Sequence, residues 1–125
     1  MRHAHHWSVA QANALRPFVG EWIGRLRDAR DQLAEHAPPP SVAALAMVGG
    51  GAWPGRAHAA AAVELVLGSA QLERLDIIVR DLDAGLVDFP ALRDGEEVYL
   101  CWVVGEPEVG HWHAPDAGFP GRQPL

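Results

Sequence analysis

The stretch that decides the fold is residues 77–104, IIVRDLDAGLVDFPALRDGEEVYLCWVV. Apolar and polar positions alternate along much of it, which is the mark of strands with one buried face. Asp83-Ala84-Gly85 and Asp94-Gly95 interrupt it with residues that accept the positive φ of tight hairpins. Strands are therefore expected over Ile77–Arg80, Leu86–Phe89 and Val98–Val104. The last is apolar on both faces, Val98, Leu100 and Trp102 against Tyr99, Cys101 and Val103, so it belongs in the middle of the sheet. Gly105-Glu106-Pro107 turns the chain again, and Val109–His113 would complete a meander of three to four antiparallel strands. The remainder, Ala114–Leu125, holds three prolines and two glycines and reads as a loop tail.

Upstream of residue 76 the period changes to that of helices. Ser8 and Gln11 form a capping box, and Leu15, Val19, Trp22, Leu26, Ala29 and Leu33 draw one apolar stripe beyond it. A helix is expected over Ser8–Ala37, kinked near Arg16 because Pro17 removes a hydrogen bond, and ended by Pro38-Pro39-Pro40. Ser41–Val48 suits a short apolar helix stopped by Gly49-Gly50-Gly51. A second long helix is expected over Pro54–Leu75, apolar nearly all round from Ala57 to Leu67, with Gly68 allowing a close helix–helix approach. Helices first and strands second argue for an α+β fold, an antiparallel helical hairpin packed on the meander. One domain over 1–125 is expected, with a helical half at 8–75, the meander at 76–113 and the tail at 114–125.

Composition narrows the function classes. The 125 residues carry a formal charge of −6, from 16 acidic side chains against 10 basic ones, every one of them Arg. With no lysine and no basic run, neither nucleic acid nor an anionic membrane is an expected partner. A single cysteine excludes an internal disulfide framework and multi-cysteine metal motifs. No apolar stretch reaches the length of a membrane span, so a cytoplasmic location is expected. His3, His5 and His6 read as part of a flexible terminus.

Three stretches carry a resemblance: AQANALRP at 10–17, VRDLDAGLVDFPALRDGEEVYLCWVV at 79–104, and GEPEVGHWHAPDAGFPGRQPL at 105–125. Together they resemble the prokaryotic family known as domain of unknown function 2203, over essentially the whole chain. That family similarly shows an EANAL-P helix start, a GLVDFPA hairpin, a YLCW strand and a W-H ending followed by G-F-x-G-R-x-P-L. The resemblance implies a small prokaryotic protein and brings no activity with it. His113 falls on the family's W-H position, whereas His111 does not. The departures are Val9-Ala10-Gln11, where the family is acidic, and the proline-rich linker.

Several residues could carry chemistry. His111 and His113, two apart on a strand, share a face and offer two imidazoles to a divalent transition metal such as zinc, nickel or manganese. Asp116 would bend back as a third ligand, and Asp88 is a more distant one. Trp112, on the opposite face, would anchor the strand. Arg122 on its glycine-hinged loop would clamp a small anion, with Phe119 and Trp112 as an apolar floor. Cys101, His113 and Glu106 could be read as nucleophile, base and orienter, but a mid-strand cysteine is expected to be an inert core residue. Asp83 and Asp94 are expected in turns, and Asp88, inside a hydrophobic strand, needs Arg80 as its partner. There is no phosphate loop, dinucleotide fingerprint or serine nucleophile elbow.

Two functions follow as expectations. The first is a homodimeric interaction module built on the helical hairpin, with Trp7, Trp22 or Trp53 as anchors. The alternative is a metal- or small-anion-binding protein, with a metal-dependent enzyme as its extension, and a site around His111, His113 and the tail.

Overall fold

A computed structural model describes residues 2–36 and 55–125. Helix α1 runs Val9–His36 and helix α2 runs Gly55–Arg74. Five strands follow: β1 (Ile78–Asp81), β2 (Leu86–Arg93), β3 (Glu96–Val103), β4 (His111–His113) and β5 (Gln123–Pro124). They form one antiparallel sheet in the order β1-β2-β3-β4-β5, an α+β arrangement with β3 in the middle. The expectations at Ala37, Pro38-Pro39-Pro40, Ser41–Val48, Gly49-Gly50-Gly51, Trp53 and Pro54 lie outside the described residues. No helix among the described residues is long and apolar enough to cross a membrane.

The capping box closes as its sequence dictates. Ser8 N–H donates to the Gln11 side-chain oxygen at 3.0 Å, and Gln11 N–H donates to Ser8 Oγ at 3.1 Å. The stripe of α1 then buries Ala12, Val19, Ile23, Leu26 and Ala29. Ala12, Val19, Ile23 and Leu26, with Leu72 of α2, meet Val87, Phe89, Ala91, Val98, Leu100 and Trp102, which all stand on one face of the sheet. The two helices approach closely at Gly68, where an added Cβ would lie 2.8 Å from Leu26 Cδ2. Arg27 donates to the carbonyls of Leu82 and Asp83, tying α1 to the β1–β2 turn.

The hairpin β2–β3 is longer than its alternation suggested, because it continues through Pro90 to the Asp94-Gly95 turn. Both turn residues have positive φ, 54° and 80°, as a two-residue primed turn requires. Proline inside a sheet costs a ladder bond unless its nitrogen faces an open flank. Here β1 pairs with β2 only as far as Asp88, and the carbonyl of Pro90 accepts the Trp7 N–H at 2.6 Å. In a strand the nitrogen of a residue points the same way as its carbonyl, so Pro90 gives up no β2–β3 bond.

Three expectations need correction. The sheet has five strands rather than three or four. Its fifth comes from the tail, which is not all loop: Phe119–Gly121 is a 3-10 turn and Gln123–Pro124 pairs with His111–Trp112. This strand is held by backbone bonds, Leu125 N–H to Gly110 O among them, which a two-residue segment cannot signal by alternation. The histidine-rich terminus is not free either. Arg2 and His3 N–H groups both donate to the Glu97 carboxylate, and His6 Nε2 meets the same group at 2.9 Å. A single carboxylate with three partners gives this segment a fixed path over the sheet.

Candidate functional site

The helices cover one face of the sheet. The other face brings together the chemistry-bearing residues of three strands. Register places Asp88 opposite Cys101, Cys101 opposite His111, and Tyr99 opposite His113. Asp88 and His113 are only 1% and 2% exposed, and Cys101 is equally buried. One ligand atom from each of Asp88, Cys101 and His113 lies within 4.8 Å of the other two.

Hydrogen bonding fixes how the imidazole is presented. His113 Nδ1 is 2.8 Å from the carbonyl of Ala114, and a carbonyl only accepts, so Nδ1 carries a proton. Nε2 then faces Asp88 Oδ2 at 2.9 Å. In the neutral imidazole this sets a lone pair against a carboxylate, and the contact closes only with a cation between them: a proton or a metal ion. Arg80 Nε donates to the same Oδ2 at 2.9 Å, as the sequence led one to expect. Asp88 Oδ1, by contrast, is buried without a hydrogen-bond partner among the described residues. A buried carboxylate oxygen is costly to leave unpaired.

Tyr99 and Arg80 roof this cluster. The Tyr99 ring is tilted against His113 at 5.5 Å between centroids, and the Arg80 guanidinium lies 5.0 Å from the centre of the same ring. The Tyr99 hydroxyl is in turn 2.8 Å from His3 Nε2.

The predicted residues are only partly brought together. His113 lies at the centre of the cluster, and Asp88 is adjacent to it rather than distant. His111 points elsewhere: its Nδ1 is buried without a hydrogen bond among the described residues, 3.8 Å from Glu106 Oε2. Asp116 is exposed and does not join His113. Trp112 is half-buried against the core, its ring covered by the Arg93 guanidinium at 4.5 Å. Arg122 grips Glu106 with both terminal nitrogens, at 3.0 and 2.7 Å, and lies over the Phe119 ring. That pairing holds the Glu106 carboxyl below its ordinary range and raises the guanidinium, so both stay charged. With its fork filled by Glu106, Arg122 is committed within the chain.

Cys101 is the member of this cluster that reading the residues one by one left out. Burial, reinforced by the Asp88 carboxylate, pushes its thiol up to about 11, against the opposing pull of Arg122. A thiol so protonated is no nucleophile, which agrees with its expected inertness. The signal that could have found it is register. Counting outward from Asp94-Gly95, residue by residue, puts Asp88 directly opposite Cys101.

A family model described as "Uncharacterized conserved protein (DUF2203)" matches residues 5–125. The chain belongs to that family. No curated protein and no solved structure matches it. All three residues of the cluster, Asp88, Cys101 and His113, lie within the matched DUF2203 region.

Proposed function

We propose that this DUF2203 chain binds a divalent transition metal through Asp88 Oδ1, Cys101 Sγ and His113 Nε2. The observation that carries the reading is the buried grouping of one ligand atom each from Asp88, Cys101 and His113 within 4.8 Å of one another, with Asp88 Oδ1 lacking a hydrogen-bond partner among the described residues. The Nδ1–H bond to a backbone carbonyl is the usual outer support of a metal-binding histidine, because it orients the ring and frees Nε2. A mixed nitrogen, oxygen and sulfur set suits zinc, and disfavours manganese, which prefers oxygen donors. Three protein ligands leave a coordination position free.

The test is elemental analysis of protein carrying no added tag, followed by titration with zinc and with cobalt. Wild type should take one equivalent and, with cobalt, show thiolate-to-metal charge-transfer absorption. Cys101→Ser and Asp88→Asn should lose that metal, while His111→Ala and Asp116→Ala keep it. Unchanged binding by Cys101→Ser overturns the site.

A second reading, the homodimeric module, is favoured by Val63, Val66 and Leu67. They share one face of α2, and each is more than half exposed. Two such hairpins, packed about a two-fold axis, would bury these side chains in a four-helix layer. Light scattering at tens of micromolar should give twice the chain mass, and Leu67→Glu should halve it. A monomer mass for wild type removes this reading.

A further inference from the structure

Away from the cluster, a cavity of about 520 Å³ opens between α2, β1 and the inner side of α1. Its walls are apolar, with Leu26, Leu65, Leu72, Ile78 and Val79 prominent among them. Glu73, Asp76, Ser69 and His3 supply the polar lining. A mostly apolar hollow of this size with a few convergent polar groups has the make-up of a small-molecule site.

The polar groups are placed against ordinary helix chemistry. Helix α2 ends with Ile77 N–H on the Leu72 carbonyl and Asp76 N–H on the Glu73 carbonyl, the paired bonds of a Schellman close. The residue in the left-handed position of that motif is usually glycine, yet here it is Asp76, at φ 57°. Carboxylates at a helix C-terminus also meet the negative end of the macrodipole. Asp76 therefore bears both a backbone cost and an electrostatic cost, and Glu73 shares the second. Arg74, in the same last turn, does not line the cavity. The neighbours of the Asp76 carboxylate are His3 Nδ1 at 3.5 Å and the His5 N–H at 3.2 Å.

From this we infer that the cavity binds an amphipathic organic cation, its ammonium group on Asp76 and Glu73 and its hydrocarbon body between α2 and β1. A positive head group relieves the concentration of negative potential at the end of α2. The apolar walls exclude water from the body. This site is separate from the proposed metal ligands, and it stands whether or not a metal binds there.

Amide shifts during titration with octylammonium, octanoate and octanol test the inference. Octylammonium should move Leu72, Ile78 and Val79 and bind roughly five-fold or more tightly than either other probe, the scale of one partly exposed charge pair. Asp76→Asn, which keeps the left-handed tolerance of the position, should erase that preference. Ser69→Phe fills the cavity from an exposed helix position and should abolish binding while leaving the rest of the spectrum native. Equal affinity for octanoate, binding by natively folded Ser69→Phe, or no response to octylammonium would each overturn it.

Discussion

His113 Nε2 stands 2.9 Å from Asp88 Oδ2, and both side chains are almost wholly removed from water. Arg80 reaches the same oxygen from the half-exposed side of β1. The result is a buried polar unit whose members depend on one another. Taking away one member of such a unit leaves the others desolvated and uncompensated.

Asp88→Ala should therefore lower the unfolding free energy by about 3–5 kcal/mol. Urea denaturation measures it. Asp81→Ala, an exposed change on the neighbouring strand, is the comparison and should cost less. A loss below about 1 kcal/mol for Asp88→Ala would mean that His113 finds other solvation.

Glu97 predicts an acid transition in the N-terminal segment. Its carboxyl is held down to about 2 from an ordinary 4.5, chiefly by the His6 hydrogen bond and then by the His3 and Arg2 N–H groups. A depressed carboxylate contributes stability that is fully present above pH 4.5 and is lost as pH falls through 2. Residues 2–6 should thus loosen between those values, seen as rising amide exchange. Glu97→Gln should loosen them at neutral pH and flatten the acid dependence.

At Gly85 the backbone has φ 73°, and an added Cβ would lie 2.7 Å from Val104 Cγ2 and 2.7 Å from Arg27 Nη2. Gly85→Ala combines left-handed strain with a clash against a branched side chain. It should destabilise by roughly 2–4 kcal/mol. Thermal unfolding of Gly85→Ala beside Gly95→Ala, where no atom of the described residues lies within 4 Å, separates the clash from the strain.

Ser8→Ala removes the acceptor for the Gln11 N–H and should cost about 1 kcal/mol. Ser8→Asp keeps an acceptor at the same place and should recover most of that loss. Equal destabilisation by both would show that the capping oxygen is dispensable.

Much of this architecture was legible because local rules and packing agreed. The capping box, the stripe through Val19 and Leu26, the Asp94-Gly95 turn and the Arg80–Asp88 pair all formed as their residue types dictate. What escaped was held by backbone groups or assembled across strands. β5 docks through N–H and C=O groups that every residue has, and residues 2–7 combine such groups with His3, His6 and Trp7 side-chain bonds to partners 68 to 96 positions away, which no local pattern announces. The histidines of β4 share a strand face as expected. Sharing a face did not bring their rings to one point, because Glu106 lies beside one and Asp88 beside the other.

The open flank of β2 beside Pro90 has a consequence for the order of assembly during translation. The N–H groups of Arg2 and His3 wait for Glu97, 95 and 94 positions further along the chain, and Trp7 waits for Pro90. Residues 2–7 thus leave the ribosome long before anything exists to hold them. The β2–β3 hairpin closes through a two-residue turn, so its loop-closure cost is small and it forms early. The segment that emerges ahead of both helices is then among the last to be fastened, and hydrogen-exchange protection at Trp7 should trail that at Leu100 during refolding.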